Sequence, residues 1–363
     1  MTATADSFSA LRDSADFTGL RRLSARIGRD PLQVQGPGGN TSLKDGGAMW
    51  VKASGTWLAE AETKDIMVPV RAAALAAELA AGGAPDAADF VPPSGAPNGL
   101  RPSIETALHA AMPQRVVLHT HCVATIALAI RKDGAGLLRN ALADLDPIVL
   151  PYVMPGLPLA QALMAEAGPD RRVAVLGNHG LIVAGDSLEE VETLLSDVSG
   201  RLERIAAPVL ERALLEETAE SRDPGALSSP RYRPADAAAL QAVARSPRHL
   251  ALAVRGPFFP DHVVFLEPDL RIAEEGEEME RAADRLTRDG QAPILILLPG
   301  VGAAIRHDAA PAAEAMARCL GDVILRLPPE APVRTLPPAE VAALLGWDAE
   351  KYRQALSAAP SGE

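Results

Sequence analysis

Aromatic residues are scarce in this 363-residue chain: six Phe, three Trp and three Tyr make up 3% of it, while 48% is hydrophobic. Alanine and leucine must therefore supply most of the core. Cysteine is scarcer still. Cys122 and Cys319 stand alone and far apart, which excludes a disulfide framework, makes a reducing cytoplasm the default compartment and leaves both as small buried apolar residues. Basic charge is in deficit, with 35 Lys and Arg against 47 Asp and Glu and a net charge of −12. General nucleic-acid or anionic-membrane binding needs a basic face and is not expected, although a small local anion site remains compatible. No apolar run approaches the roughly 18 residues of a spanning helix, and residues 1–25 lack the apolar stretch of a signal peptide. The charged fraction, 23%, is ordinary for a globular chain and excludes wholesale disorder.

At about 150 residues per domain, the length favours two domains. Leu11, Phe17, Leu20, Leu23 and Ile27 recur at helical spacing in a lead-in of about 30 residues. Segment 31–60 is punctuated by glycine, with a β-type run at 49–52 between two loops. A strand at 66–70 and an Ala-rich helix follow, then an exposed Gly/Pro-rich loop over 82–101. Pro102 and Ser103 signal a helix that ends near Pro113. The strand VVLHTHC comes next, then a helix to about Arg131. VAVLGNHGLIVAG, at 173–185, reads as two strands joined by a turn. A long helix capped by Asp186 or Ser187 runs to about Glu217. The composition predicts a first domain over 1–217, a linker over 218–236, a small α/β domain over 237–355 and a disordered tail over 356–363. The second domain is expected to hold strands in HLALAV and VVFL, a charged helix around 274–289, a strand in PILILLPG and helices at 308–326 and 337–345.

His119 and His121 alternate within a β-branched run, so both imidazoles project from one face of a strand, close enough to share a metal ion. An H-x-H pair alone is equally compatible with two solvent-facing histidines. His179, in the Asn178-His179-Gly180 turn, is the natural third ligand; a turn histidine capping a carbonyl is the plainer alternative. His109, His249, His262 and His307 read as structural. Glu105, at a helix start, serves either the helix dipole or a metal-proximal acid–base role. His109, four residues on, shares its helix face and either orients Glu105 or packs. The loop GPGGNTS at 36–42 lets backbone N–H groups converge on an anion, and Ala53-Ser54-Gly55-Thr56 repeats that chemistry. Ser103 adds a hydroxyl at a helix start, and Lys44 and Lys52 either supply charge or lie solvated. PGVG at 299–302 reads as a strand-to-loop turn rather than a dinucleotide loop, since Ile305 replaces the third small residue. Asp261 and His262 form a polar pair or a loop before a strand.

In order, GGNTS, KASGT, PSIET, HTH and NHG with the amphipathic helix after it resemble the class II aldolase/adducin family over roughly residues 20–210. The resemblance implies a three-layer αβα fold with a predominantly antiparallel central sheet. It also implies zinc, or another divalent first-row metal, on His119, His121 and His179, with Glu105 as the catalytic glutamate. Phosphate binding would fall to Gly39, Asn40, Ser54, Gly55 and Ser103. A homo-oligomer, often a tetramer, is implied as well. Two departures stand out. Sugar-phosphate aldolases of the family commonly carry a second serine where this chain has Ile104. Several members use a tyrosine proton donor, and Tyr152 is the only tyrosine in the matched stretch, with no assigned match. The C-terminal block resembles the segment after the aldolase part of bifunctional rhamnulose-phosphate aldolase/alcohol dehydrogenase proteins. The chain ends at Glu363, so no dehydrogenase activity is expected.

These readings predict a metal-dependent aldolase that cleaves a ketose phosphate or related hydroxy ketone through a metal-stabilised enediolate. A sugar-phosphate 4-epimerase or a dehydratase on the same site is the second expectation. A non-catalytic adducin-like scaffold is the third, disfavoured because a scaffold has no chemical reason to keep three histidines and a glutamate together. The expected partners are a small sugar phosphate or hydroxy ketone and further copies of the chain, without nucleic acid or membrane.

Overall fold

The computed structural model describes residues 3–216 and 224–358. It divides into two compact units. One holds the chain up to Thr125 together with Ala135–Arg201; the other holds Ile126–Gly134 and the chain from Leu202 on.

The first unit is built on a seven-stranded sheet. Its strands are β1 (Asn40–Asp45), β2 (Ala48–Lys52), β3 (Met67–Val70), β4 (Val116–Thr120), β5 (Ile148–Leu150), β6 (Val173–Leu176) and β7 (Gly180–Gly185). Their order across the sheet is β3-β2-β1-β4-β7-β6-β5. Every neighbouring pair is antiparallel except β5 with β6, as expected of a predominantly antiparallel sheet. The helices here are α1 (Ala5–Arg12), α2 (Ala15–Gly28), α3 (Ala72–Ala80), α4 (Thr106–Ala111), α6 (Gly134–Ala141) and α7 (Leu157–Glu166), together with the starts of α5 (Val123–Ile130) and α8 (Leu188–Glu216), which pass into the second unit at Ile126 and Leu202. Side-chain alternation along β2 sends its residues to two different layers. Met49 and Val51 join the apolar cluster shared with α3, α4 and α7. Trp50 turns the other way, its ring 5.4 Å from that of Phe17 on α2, and its indole N–H donates to the Phe8 carbonyl on α1. Helices therefore cover both faces. Ser187 caps α8, its hydroxyl accepting from the Glu190 amide at 3.2 Å.

The second unit carries a four-stranded sheet, β8 (Tyr232–Pro234), β11 (Gly302–Arg306), β10 (Leu295–Leu298) and β9 (Arg271–Ile272) in that spatial order. Its helices are α9 (Ala238–Arg245), α10 (Pro247–Ala253), α11 (Pro260–Leu266), α12 (Met279–Leu286), α13 (Pro311–Leu325), α14 (Pro338–Gly346) and α15 (Asp348–Ala358). Two expected strands are helices: HLALAV lies in α10 and VVFL in α11. The start signals explain both. Ser246 accepts a hydrogen bond from the His249 amide at the head of α10, with Pro247 in its first turn, and Pro260 opens α11. PGVG does form the β10–β11 turn. Of the segment read as a linker, 218–223 fall outside the described residues, and 224–236 contain a short 3-10 turn and β8. Of the expected tail, 356–358 finish α15 and 359–363 fall outside the described residues. Both cysteines are buried. Among the described residues, no helix is long and apolar enough to cross a membrane.

Candidate metal and acid–base centre

His119 sits mid-sheet. Its backbone pairs with Asn40 of β1 on one side and Ile182 of β7 on the other. Its Nδ1 lies 3.1 Å from the Leu181 carbonyl. A carbonyl only accepts, so Nδ1 carries the proton and Nε2 presents the lone pair. His121 follows one residue after β4 ends, and Gln35 donates to its carbonyl at 3.3 Å. His179 is delivered by the β6–β7 connection, where Asn178 adopts φ +54° and the His179 amide donates to the Leu176 carbonyl. Asparagine tolerates that left-handed conformation better than most residues. The three rings stand 5.0–5.2 Å apart between centroids, at interplanar angles of 59° to 80°. They are splayed rather than stacked, as convergence on one point requires.

Glu105 completes the cluster. It is the N-cap of α4, not a first-turn residue: the helix begins at Thr106, later than Pro102 and Ser103 suggest. Its Oε2 lies 3.4 Å from His119 Nε2 and its Oε1 3.2 Å from His179 Nε2. Asn40 donates to Oε2 at 3.0 Å, and the Glu105 amide donates to Ser103 Oγ at 3.2 Å. Burial favours the neutral acid, but His119 and His179, with a smaller pull from His121, outweigh it and hold the carboxyl below its usual range. One potential ligand atom from each of Glu105, His119, His121 and His179 falls within 4.8 Å of the others, and all four residues are buried. Three imidazoles beside a carboxylate are a donor set that suits a divalent first-row ion. The residues present fit a metal.

The loops resolve differently from one another. Asn40 and Ser103 touch Glu105 directly. Ala53 bridges to Pro102, and the Ser54 amide donates to the Arg101 carbonyl at 3.0 Å, so the turn of Ser54 and Gly55 is tied to the segment leading into Glu105. Gly39, at φ +64°, lies where a Cβ would come within 3.0 Å of the His119 carbonyl oxygen. Neither lysine is solvated. Lys52 is fully buried and donates to the Pro37 carbonyl at 3.0 Å. Lys44 donates to the carbonyls of His109 and Met112, and burial draws it down to about 7 against the opposing pull of Asp186. His109 packs against Ser42 rather than Glu105, its Nδ1 2.8 Å from Ser42 Oγ; burial draws its imidazole down to about 3, with His119 adding to the effect. The sequence gives no sign of Gln35 or the Leu181 carbonyl, and it places Ser42 in the anion loop, whereas the Ser42 hydroxyl meets His109. A backbone partner leaves no signal in a sequence, but Ser42 stands two residues after Asn40 and so shares its face.

In the second unit, Asp261 and His262 lie in the first turn of α11 rather than in a loop. Asp261 takes both terminal nitrogens of Arg353, at 2.6 and 2.8 Å. His262 is fully buried beside the rings of Phe258 and Phe259, which fits the structural role expected of it.

Residues 23–199 match the profile described as Class II Aldolase and Adducin N-terminal domain. The N-terminal class II aldolase domain of a conserved Thermoplasma acidophilum protein is 29% identical. That match covers 53% of this chain and 93% of the other, with a TM-score of 0.46. L-fuculose-1-phosphate aldolase from Thermus thermophilus is 17% identical, covering 57% of this chain and 98% of the other at a TM-score of 0.37. An uncharacterised oxidoreductase of Bacillus subtilis, YuxG, is 34% identical over 92 residues, which are 24% of this chain. The match spans only 13% of that relative's length.

Proposed function

Because residues 23–199 belong to the class II aldolase and adducin N-terminal domain family, we propose that the chain is a metal-dependent aldehyde-lyase acting on a ketose phosphate or a related hydroxy ketone. The carrying observation is the buried convergence of Glu105 with His119, His121 and His179. The three histidines would hold the ion, with zinc the leading choice. A divalent ion bound there supplies Lewis acidity, which polarises a substrate carbonyl and stabilises an enediolate.

The chain's own groups do the rest. Glu105, ionised and poised between two imidazoles, takes and returns the proton at the substrate carbon next to the carbonyl. Asn40 directs one carboxylate oxygen by donating to Oε2, which leaves Oε1 as the better base. Gly39, Asn40, Ser54, Gly55 and Ser103 are assigned to the anionic end of the substrate. Ser103 accepts from the Glu105 amide and keeps its own hydroxyl hydrogen for that anion. Fixing the anion sets the distance from the reacting carbon to Glu105. A homo-oligomer belongs to the same proposal and is tested by light scattering.

The direct test is proton exchange at C3 of dihydroxyacetone phosphate in heavy water, followed by NMR with and without a chelator. Chelator-sensitive exchange is expected. Exchange that survives complete metal removal would overturn the proposal. So would no exchange by metal-loaded protein with either dihydroxyacetone phosphate or dihydroxyacetone. Release of an aldehyde fragment, as against inversion without release, separates the lyase from an epimerase.

A further inference from the structure

Glu105 is carried by a helix of only six residues, Thr106–Ala111. A helix that short has no independent stability, so tertiary contacts must place it. Those contacts come from one strand. Asn40, Ser42 and Lys44 project from the same face of β1. Asn40 donates to Glu105 at 3.0 Å, Ser42 meets His109 at 2.8 Å, and Lys44 donates to the His109 carbonyl at 2.8 Å and to the Met112 carbonyl. Same-face residues on a strand repeat every ~6.8 Å, and four residues of helix advance ~6 Å. The two repeats nearly coincide, so each step along β1 meets α4 about one turn further on. The ammonium of Lys44 also lies at the C-terminal carbonyls, where a helix favours positive charge.

The surroundings make the Ser42–His109 contact conspicuous. The ladder neighbours of Ser42 are Val51 and Val117. Both belong to an apolar cluster that includes Leu108, Ala111 and Met112 from the end of α4. Ser42 and His109 are both fully buried. Polar groups in such a layer cost free energy unless bonded, and an apolar pair would fill the space as well. What a hydrogen-bonded pair adds is register: sliding α4 by one turn along β1 would break it.

We propose that Ser42, His109 and Lys44 are positioning residues for Glu105, with β1 acting as a common ruler. The same strand that ties α4 also pairs Asn40 with His119. It therefore sets the carboxylate against the histidines without any of the three touching substrate. This rests on Glu105 being the proton-transfer group proposed above.

The test uses Ser42→Ala, His109→Leu and His109→Asn in the full chain, with two readouts. In the C3 exchange assay, Ser42→Ala and His109→Leu should each lower kcat about tenfold, since ångström-scale misplacement of a reacting group has effects of that order or more. KM should stay within about twofold and metal content should not change. Asparagine offers polar atoms where Nδ1 stood, so His109→Asn should recover most of the rate. The second readout needs neither metal nor turnover: the imidazole 15N signals of His119 and His179, whose Nε2 atoms face Glu105. Ser42→Ala and His109→Leu should move them towards their positions in Glu105→Gln, and His109→Asn should return them. A wild-type protein without exchange would sink the proposed function, and the imidazole signals alone would then decide the ruler. Unmoved signals with unchanged kcat would overturn it, whatever happens to the melting temperature. Loss of metal in step with rate would overturn it too, because the pair would then be holding the histidines. If His109→Leu fails to fold, Ser42→Ala, which removes a single oxygen atom, carries both readouts.

Discussion

Each unit buries a carboxylate, and the two meet opposite company. Asp261 in the second unit is gripped by both terminal nitrogens of Arg353. Glu350 joins the same guanidinium at 3.3 Å, and the Phe265 ring lies 5.0 Å from its centre. Glu105 in the first unit faces two imidazoles instead. A guanidinium is always protonated and has no lone pair, so Arg353 meets Asp261 as a fixed cation and brings no ligand atom to a metal. An imidazole has a lone pair to give. A buried charge therefore marks a reactive site only when its neighbours still have chemistry to offer.

The contrast breaks first at the histidines. His119→Ala should take bound metal from one ion per chain to nearly none, by elemental analysis, and C3 exchange to background; turnover by metal-free protein would erase the distinction between the clusters. Glu105→Gln should keep the metal and slow exchange by about 10²- to 10⁴-fold, the usual range for a lost acid–base group. Full activity there would remove Glu105 from the chemistry. Arg353→Met attacks the other side of the comparison. It takes the guanidinium from two buried carboxylates and should cost about 3–5 kcal/mol of stability in denaturant titrations, with metal content unchanged. A neutral outcome would mean that the Arg353 pairing adds little net stability.

The smallest effect concerns acid. Burial holds His262 down at about 3, against 6.5 for an ordinary histidine. As the pH falls through 6.5 the unfolded chain takes up a proton that the folded chain refuses until near 3. Stability should thus decline across that window. His262→Leu should flatten the decline measured by denaturant midpoints at successive pH values. His109, held equally low, would keep part of the slope. An unchanged slope would show that His262 is not excluded from protonation.

The histidine trio was legible because strand alternation is rigid: His119 and His121 had to share a face, and Asn178 marked the turn that brings His179 to them. The β2 run and the paired strands around 173–185 were legible for the same reason. The second unit was harder. HLALAV and VVFL are short apolar runs, which periodicity cannot assign to helix or strand, and the deciding signals were the proline and serine before them. The strand β1 escaped notice for a different reason. NTSLKD shows no hydrophobic alternation, because the face that carries Asn40, Ser42 and Lys44 is polar and its side chains bond to Glu105 and α4.

Gly38 donates nothing to the cluster, yet a Cβ built on it would stand 2.7 Å from His121 Nδ1 and 2.9 Å from the Gln35 carbonyl oxygen. Its missing side chain is the space in which the imidazole rests. A relative that keeps all three histidines and Glu105 but carries any larger residue at this position would have to shift its imidazole, so a search for living members of this group should require the glycine as strictly as the ligands.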